Sequence, residues 1–257
     1  MTPPTFRHFF TSMKLSSWNL NGLEDLNMDM RTEAAMFQLL LGAPIEAAFA
    51  EGFIANTPYI VLLQEVVERS YHAHVVPHLK AAGFTIYPQS PTERSYFEVV
   101  AVRQKIIESH YTPFAYSDQG RGLTTLHLDD LTIMTAHLES LKPGASMRID
   151  QAQYVLEEMA KHPQCVFAGD TNLRDEEWLG LDHGAIKDAW ESVGSPKKQR
   201  FSWQQGKYKA RYGRIWTHNL DVSNFEVFGK KNVEVINERP SDHYAIRIEF
   251  DSSKKSV

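Results

Sequence analysis

Residues 166–175 read Val-Phe-Ala-Gly-Asp-Thr-Asn-Leu-Arg-Asp, and this stretch indicates how the chain is built. The apolar run at 165–168 predicts a short buried strand. Gly169 is predicted to end that strand and to let the backbone approach a neighbour closely. Asp170 and Asn172 follow two residues apart, so in an extended segment their side chains point the same way. Polar groups at the C-terminal end of a strand are typical of α/β active sites, although Asp and Asn are also common in turns and helix caps.

The composition suits one globular domain. Of the 257 residues, 42% are hydrophobic and 11% aromatic, which is enough to bury a core without covalent staples. Cys165 is the only cysteine, so an internal disulfide and a cysteine-based zinc site are excluded. We expect a single catalytic domain at 13–251, a flexible N-terminal segment at 1–12 and a frayed tail at 252–257.

The N-terminal segment has no apolar core of the length found in secretory signals, and no window approaches the length of a membrane span. We therefore expect an intracellular protein without a membrane partner. It would be cytoplasmic, or nuclear if the organism is eukaryotic. A monomer is the expected oligomeric state.

Charge is unevenly distributed along the chain. The net charge is -5, yet the segment 197–214 contains seven basic residues and no acidic one. Four aromatic residues are interleaved with the basic ones: Phe201, Trp203, Tyr208 and Tyr212. Because basic side chains bind phosphates and aromatic faces stack on unpaired bases, this segment predicts contact with nucleic acid. The alternative is an exposed basic loop without a ligand.

Apolar patterning predicts strands separated in places by helices and in places by tight turns. Strands are predicted at 13–18, 59–63, 84–87, 98–102, 106–111, 123–128, 131–136, 165–168, 215–217, 225–228, 233–236 and 244–250. Helices are predicted at 31–55 (interrupted near 42–44), 71–82, 145–162, 176–179 and 185–190. This mixture favours an α/β fold with two packed mixed or antiparallel sheets flanked by helices.

Four predicted strand ends carry polar groups that suit a hard cation. They supply Asn19, Gln64-Glu65, Asp170 with Asn172, and Asp242-His243. Oxygen ligands with few carboxylates suit Mg²⁺ or Mn²⁺, which keep several waters and take further ligands from substrate phosphate. Glu65 would be the direct ligand. Taken singly, each group is more often a solvated, packed or turn residue, so the prediction depends on their joint occurrence.

The order of these motifs resembles the endonuclease/exonuclease/phosphatase superfamily over nearly the whole chain. The matching motifs are Trp-Asn at 18–19, Leu-Gln-Glu-Val at 63–66, Gly-Asp-Thr-Asn at 169–172 and Ser-Asp-His at 241–243. A closer match is its tyrosyl-DNA phosphodiesterase 2 branch. That branch shares Gly-Asp-Thr-Asn-Leu-Arg-Asp at 169–175 and His-Leu-Glu-Ser at 137–140.

The resemblance implies a four-layer α/β sandwich with one Mg²⁺, for which Mn²⁺ could substitute. It implies hydrolysis of the bond between a tyrosine and a DNA 5′ end, a DNA-repair reaction that leaves a 5′-phosphate; RNA remains an alternative substrate. The catalytic residues implied are Asp170, which orients or deprotonates water, with Asn172, His243, His137 and Asn19. The implied metal-side residues are Glu65, Asn19 and Asp242. The implied substrate contacts are Arg174, Trp203, Ser140, Arg121 and Arg211.

One position departs from the family pattern. The family has an Asp that orients the catalytic histidine, and Gly213 stands at that place here. Without that carboxylate, His243 loses a partner that would favour its charged form and fix its ring. We therefore expect lower activity than is usual for the family.

Two alternative functions remain open from the sequence. Within the same superfamily, the chain could be an abasic-site endonuclease, an exonuclease or a phosphatase of small molecules. In a different class, it could be a nucleic-acid-binding protein with a weak or inactive site, an alternative that rests on Gly213. Turnover of abasic DNA, or DNA binding without turnover, would distinguish these alternatives from the tyrosyl phosphodiesterase.

Overall fold

In a computed structural model, the chain folds into two six-stranded sheets with helices outside them. The structure describes residues 12–41, 59–88 and 95–251. The strands in chain order are β1 (Ser12–Asn19), β2 (Ile60–Val66), β3 (Thr85–Pro88), β4 (Phe97–Val102), β5 (Glu108–Pro113), β6 (Gly122–His127), β7 (Thr132–Thr135), β8 (Cys165–Asp170), β9 (Lys187–Asp188), β10 (Trp203–Gln205), β11 (Tyr208–Ala210), β12 (Gly213–His218), β13 (Asp221–Phe228) and β14 (Ala245–Asp251).

The helices are fewer and lie between strands. They are α1 (Met28–Leu41), α2 (Glu68–Ser70), α3 (Val76–Ala81), α4 (Ala145–Ala160), α5 (Asp175–Leu179) and α6 (Ala189–Ser192). A π-helical turn at Tyr71–Val75 joins α2 to α3, and a 3₁₀ turn lies at Lys197–Gln199. No helix in the described ranges is long and apolar enough to cross a membrane.

Each sheet contains one parallel pair of neighbouring strands near its centre. The first sheet has the order β13-β14-β1-β2-β4-β3, and the second has the order β5-β6-β7-β8-β12-β9. The parallel pairs are β1 with β2 and β7 with β8, and the other pairs are antiparallel. The carboxyl ends of the two strands in each parallel pair therefore lie side by side at the same end of their sheet.

Three apolar clusters hold the layers together. One lies between the sheets, where Leu15 and Leu62 of the first sheet pack with Ile133 and Val166 of the second. The second cluster covers the outer face of the second sheet with residues of α4 and α5, and the third covers the outer face of the first sheet with α1 and α3. Burial on both faces explains why β2 and β8 each begin with a continuous run of four apolar residues. The layers run helix, sheet, sheet, helix, which confirms the predicted fold class.

Most predicted strands are present with shifted ends, but two predicted elements are wrong. The predicted helix at 185–190 is instead strand β9 followed by α6, because Asp188 pairs with Trp216 and its carboxylate caps the following helix. The predicted strand at 233–236 is a turn, closed by a single bridge between Val233 and Glu238.

Three further predictions need adjustment. Gly169 does not end its strand, since β8 continues to Asp170 by pairing with β12. Part of the basic segment at 197–214 forms an antiparallel ribbon of β10 and β11. The predicted helix at 31–55 is seen as α1 as far as Leu41, and 42–55 lies outside the described residues. The predicted ends at 1–11 and 252–257 also lie outside them, while Ser12 already belongs to β1. The predicted domain boundaries stay predictions.

Gly169 is required by a close approach of two backbones. A Cβ atom at this position would lie 2.1 Å from the carbonyl oxygen of Ala136, which is backbone and cannot rotate away. Gly180, by contrast, is a helix-terminal glycine at φ -86, where a Cβ atom would find its nearest neighbour at 3.6 Å.

We predict that Gly169→Ala destabilises the protein by about 1–3 kcal/mol, the usual cost of overpacking. For a chain of this size that corresponds to a drop of several degrees in the unfolding temperature. Differential scanning calorimetry of Gly169→Ala beside the control Gly180→Ala measures the effect. Equal melting temperatures for the two variants would contradict the role of the close backbone contact.

Candidate active site

Five polar side chains meet where the carboxyl ends of the two parallel strand pairs face each other. Asn19 is the last residue of β1, Glu65 lies near the end of β2, Asp170 is the last residue of β8, and His137 follows β7. His243 comes from the loop before β14 and forms a bridge with the first residue of β10. Four strands that are far apart in sequence therefore supply one cluster.

The amide of Asn19 lies at the centre of this cluster. Its Nδ2 donates one hydrogen bond to Glu65 Oε1 at 2.9 Å and another to Asp170 Oδ2 at 2.9 Å. Its Oδ1 accepts a hydrogen bond from the backbone N–H of Asn21, which fixes the orientation of the amide. Asn19 thus joins the two sheets and holds two carboxylates side by side.

Two imidazoles flank the Asp170 carboxylate. Nε2 of His137 lies 3.5 Å from Asp170 Oδ2 and 3.8 Å from Glu65 Oε1. Nε2 of His243 also lies 3.5 Å from Asp170 Oδ2. A carboxylate between two imidazoles and an amide donor is held in a fixed orientation.

The loop that carries His243 is attached to the first strand by Ser241. The Ser241 hydroxyl donates a hydrogen bond to the backbone oxygen of Asn19 at 2.8 Å and accepts one from the N–H of His243 at 3.0 Å. Nε1 of Trp18 donates to the backbone oxygen of His243. These buried contacts fix the position of the imidazole relative to Asn19.

Glu65 has a backbone conformation that its residue type rarely adopts. Its φ is 52, and the pairing of β2 with β4 shifts register between Leu63 and Val66. A left-handed conformation at a residue other than glycine costs on the order of 1 kcal/mol. The bulge turns the Glu65 side chain toward Asn19. Gly22 approaches so closely that a Cβ atom there would lie 2.2 Å from the Glu65 carbonyl oxygen.

Burial raises the pKa of Glu65 above its ordinary value, and the neighbouring Asp170 acts in the same direction. The hydrogen bond from Asn19 and the charges of His243 and Arg121 oppose this shift without cancelling it. The folded protein therefore holds a proton on Glu65 more readily than the unfolded chain. In the absence of a counter-ion, the stability contributed by this group falls as pH rises through the raised pKa.

Glu65, His137 and Asp170 each offer one ligand atom, and the three atoms lie within 4.8 Å of one another. The cluster combines two carboxylates, one of which burial disfavours in its charged form. A divalent cation would compensate that charge, so the residues present fit a metal ion. The amide of Asn19 presents its nitrogen to both carboxylates, which makes it an orienting group in this arrangement.

Asp242 and Asn172 lie beside the cluster. Oδ2 of Asp242 accepts a hydrogen bond from Nε1 of Trp203 at 2.8 Å, while its Oδ1 is buried without a hydrogen-bond partner among the described residues. Asn172 has φ 52, its N–H donates to Asp170 Oδ1, and its Nδ2 donates to the backbone oxygen of Leu138. Asn172 therefore supports Asp170 through the backbone, and Asp242 retains a buried acceptor for a further donor.

An arginine and two aromatic rings form a surface next to His243. The guanidinium of Arg174 lies 5.4 Å from the ring centre of Tyr212, and the Tyr212 ring lies 5.2 Å from that of Trp203 and 6.4 Å from that of His243. A cation beside two aromatic rings suits a phosphate and an unpaired base. Tyr212 is absent from the predicted site, although it stands in the basic and aromatic segment beside Gly213.

Arg121 approaches the cluster from the opposite side. Its guanidinium lies 5.0 Å from the ring centre of Tyr96, which in turn lies 6.3 Å from the His137 ring. The Arg121 side chain is buried, and its Nε and Nη1 atoms have no hydrogen-bond partner among the described residues. Gln119 accepts a hydrogen bond from Nη2 of Arg121 and one from the N–H of Ser140. No sequence motif points to Gln119 or Tyr96.

Arg211 belongs to a structural ion-pair network instead of the cluster. Its guanidinium pairs with Asp188 at 2.7 Å, with Glu191 at 3.2 Å and with Asp175 at 3.5 Å. Arg214, which is fully buried, pairs with the same Asp175 and Asp188. This placement favours a structural role for Arg211 over the predicted contact with substrate. The exposed basic residues of the segment 197–214 are Lys197, Lys198, Arg200, Lys207 and Lys209.

A small cavity lies between Gly213 and His243. It has a volume of about 10 Å³, and Gly213, Asp170, His243 and Gln64 are among its lining residues. A Cβ atom on Gly213 would lie 3.3 Å from the hydroxyl of Ser202 and 3.4 Å from a methyl carbon of Ile246. Both neighbours are side-chain atoms, so small shifts would admit a larger residue.

No family model matches the chain. Among curated proteins, tyrosyl-DNA phosphodiesterase 2 of Gallus gallus is 28% identical over 94% of this chain and 67% of its own length. The chain spans about two thirds of the length of the curated relatives it matches first.

Solved structures share the fold. The crystal structure of D. rerio TDP2 complexed with a single-strand DNA product matches with a TM-score of 0.78 and 25% identity, over 93% of this chain and 99% of that one. An endonuclease/exonuclease/phosphatase family protein from Bacteroides thetaiotaomicron matches with a TM-score of 0.71 and 15% identity, over 96% of this chain and all of that one. This second similarity concerns the fold alone.

We predict that Glu65→Gln abolishes the rise in unfolding temperature that a divalent cation gives the wild-type protein. Without metal, the variant should be at least as stable as the wild type at neutral pH, because it removes a buried charge and can still accept a hydrogen bond from Asn19. Thermal melts with and without Mg²⁺ or Mn²⁺ measure both effects. Glu68→Gln, an exposed neighbour, is the matched control. A cation-dependent rise that persists in Glu65→Gln would rule out Glu65 as a ligand.

Proposed function

Because the chain is related to the tyrosyl-DNA phosphodiesterase 2 proteins of the endonuclease/exonuclease/phosphatase superfamily, we propose that it is a divalent-metal-dependent phosphodiesterase. Its substrate is DNA that carries a tyrosine on its 5′ end, and its products are a 5′-phosphate and a free phenol. The observation that carries this proposal is the cluster in which Asn19 joins Glu65 to Asp170 while His137 and His243 flank the same Asp170 carboxylate.

Asp170 is the group that acts on the attacking water. Its carboxylate is buried, and its orientation is fixed by Asn19, by the N–H of Asn172 and by the two imidazoles. A carboxylate in this setting can orient a water molecule and accept its proton. The water attacks phosphorus opposite the tyrosyl oxygen, and the bond from phosphorus to that oxygen breaks.

His243 and His137 are the donors for the phosphoryl oxygens. Both Nε2 atoms lie on the Asp170 side of the cluster, so an oxygen placed there meets one imidazole from each sheet. Charge builds on these oxygens in the transition state, and fixed donors stabilise it without reorganisation. Arg121 adds a buried guanidinium near the same place; its Nη1 lies 4.0 Å from the Glu98 carboxylate, and its charge would help to stabilise a phosphate.

The metal is proposed to be Mg²⁺, with Mn²⁺ as a substitute. Glu65 would hold it directly, with Asp242 as a supporting carboxylate, because oxygen ligands and few carboxylates suit these ions. A bound ion would neutralise charge on the phosphate as the leaving oxygen departs. A phenol has a pKa of ~10, so tyrosine leaves readily without a strong acid beside it.

The DNA strand is proposed to lie over Arg174, Tyr212 and Trp203. Arg174 would bind a phosphate, and the rings would stack on the terminal bases. Ser140, held by Gln119, would contact the scissile phosphate. The same surface would accept RNA, because none of these contacts distinguishes the sugar.

The direct test is turnover of a 5′-tyrosyl oligonucleotide in Mg²⁺, with an abasic duplex and a 5′-tyrosyl RNA assayed alongside. We expect release of a 5′-phosphate, and Asp170→Ala should lower kcat by about 10²–10⁴-fold, the usual contribution of a general base. Asp150→Ala, an exposed position on α4, is the control. Cleavage of abasic DNA alone would move the substrate within the superfamily. DNA binding without turnover of any substrate would favour the inactive binding protein.

Gly213→Asp should raise kcat by about tenfold, the order expected for one hydrogen bond to a charged group. The new carboxylate would enter the cavity beside His243 and favour the charged imidazole. Gly213→Ala fills the same space without a carboxylate and is therefore the matched control. Steady-state rates on the tyrosyl substrate compare the three proteins. If the Asp and Ala variants turn over at the wild-type rate, Gly213 does not limit activity.

A further inference from the structure

Four histidines lie together at the end of the second sheet opposite to the active site. His110 is on β5, His127 ends β6, His162 follows α4, and His218 ends β12. His127 pairs with Thr132, the first residue of β7, whereas the active-site His137 follows the other end of that strand. At ~3.3 Å per residue, the five residues from 132 to 137 separate the two places by roughly 16 Å.

Two of these imidazoles face each other nitrogen to nitrogen. Nε2 of His127 lies 3.3 Å from Nε2 of His110. Two nitrogen ligands held about 2.0–2.1 Å from a tetrahedral zinc ion are about 3.3–3.4 Å apart, so the observed separation equals the spacing that such an ion requires. Register explains the meeting, because Glu108 is opposite His127 and His110 follows two residues later on the same face of the hairpin.

The orientation of His127 is fixed by a hydrogen bond on its other nitrogen. Its Nδ1 lies 3.2 Å from the hydroxyl oxygen of Thr132, which can accept a hydrogen bond from Nδ1–H. When Nδ1 donates this hydrogen bond, Nε2 carries the lone pair and points at His110. A hydrogen bond from the second ring nitrogen to a neighbouring oxygen is the usual support for a histidine that binds metal.

Glu108 offers a third ligand atom beside the two imidazoles. Glu108, His110 and His127 each offer one ligand atom, and the three atoms lie within 4.8 Å of one another. The ring centre of His162 lies 5.2 Å from that of His127.

We propose that Glu108, His110 and His127 form a second metal site that binds a borderline divalent ion of the zinc class. Imidazole nitrogen is a ligand preferred by Zn²⁺ and not by Mg²⁺, so excess Mg²⁺ would compete only weakly for this site. The ion would tie the edge strand β5 to β6. The site is independent of the phosphodiester chemistry, because none of its residues belongs to the active-site cluster.

Equilibrium dialysis of the full chain against Zn²⁺ in excess Mg²⁺ tests the proposal. The Mg²⁺ serves to occupy the oxygen-rich active site. The wild type should bind one more zinc ion per chain than His110→Ala/His127→Ala, and either single substitution should weaken zinc binding at this site at least tenfold. His72→Ala, an exposed histidine outside the cluster, should bind zinc as the wild type does. Equal zinc stoichiometry and affinity in the wild type and the double variant would overturn the proposal.

A second measurement does not depend on the variants. In long-range ¹H–¹⁵N spectra of the wild type, zinc should shift the Nε2 resonances of His110 and His127 while Nδ1 of His127 stays protonated. Zinc should also raise the unfolding temperature of the wild type and leave that of the double variant unchanged. Imidazole resonances that do not respond to zinc would show that the close nitrogen pair is a hydrogen bond between two histidines and not a ligand pair.

Discussion

One amide holds the active end of the molecule together. Nδ2 of Asn19 donates to a carboxylate from each sheet, and those carboxylates, Glu65 and Asp170, would otherwise repel each other. The apolar core between the sheets fixes their separation but does not orient polar side chains. The hydrogen bonds of Asn19 orient the two carboxylates. Ser241 bonds to the backbone of both Asn19 and His243, so the histidine and both carboxylates are positioned relative to the same residue.

The cluster is held against local preferences that oppose it. Glu65 is in a left-handed conformation, its charge is disfavoured by burial, and Gly22 and Gly169 permit backbone contacts that no other residue would tolerate. Conflicts between local preference and fold tend to concentrate at functional sites, where the surrounding structure compensates for them. Here the compensation comes from the apolar layers on both sides of each sheet.

The basic segment serves two purposes that its composition does not separate. Arg211 and Arg214 turn inward, where Asp175 and Asp188 neutralise them, while its lysines stay exposed. Two buried guanidiniums this close require shared carboxylates, since an unpaired buried charge costs several kcal/mol. The network anchors β12 to α5 and α6, and so supports the strand that carries Gly213 and pairs with Asp170.

The sequence by itself determined the layers and most members of the cluster. Apolar periodicity predicts the strands because burial selects side chains at fixed spacing, and Asn19, Glu65, His137, Asp170 and His243 are recognisable at the strand ends where they occur. Only the tertiary structure decided which basic side chains face solvent and that Lys187–Asp188 is a strand. It also decided that Tyr212 lies beside His243, that Gln119 bonds to Ser140, and that His110 faces His127. Those outcomes depend on contacts between segments far apart in the chain, and local sequence carries no record of such contacts.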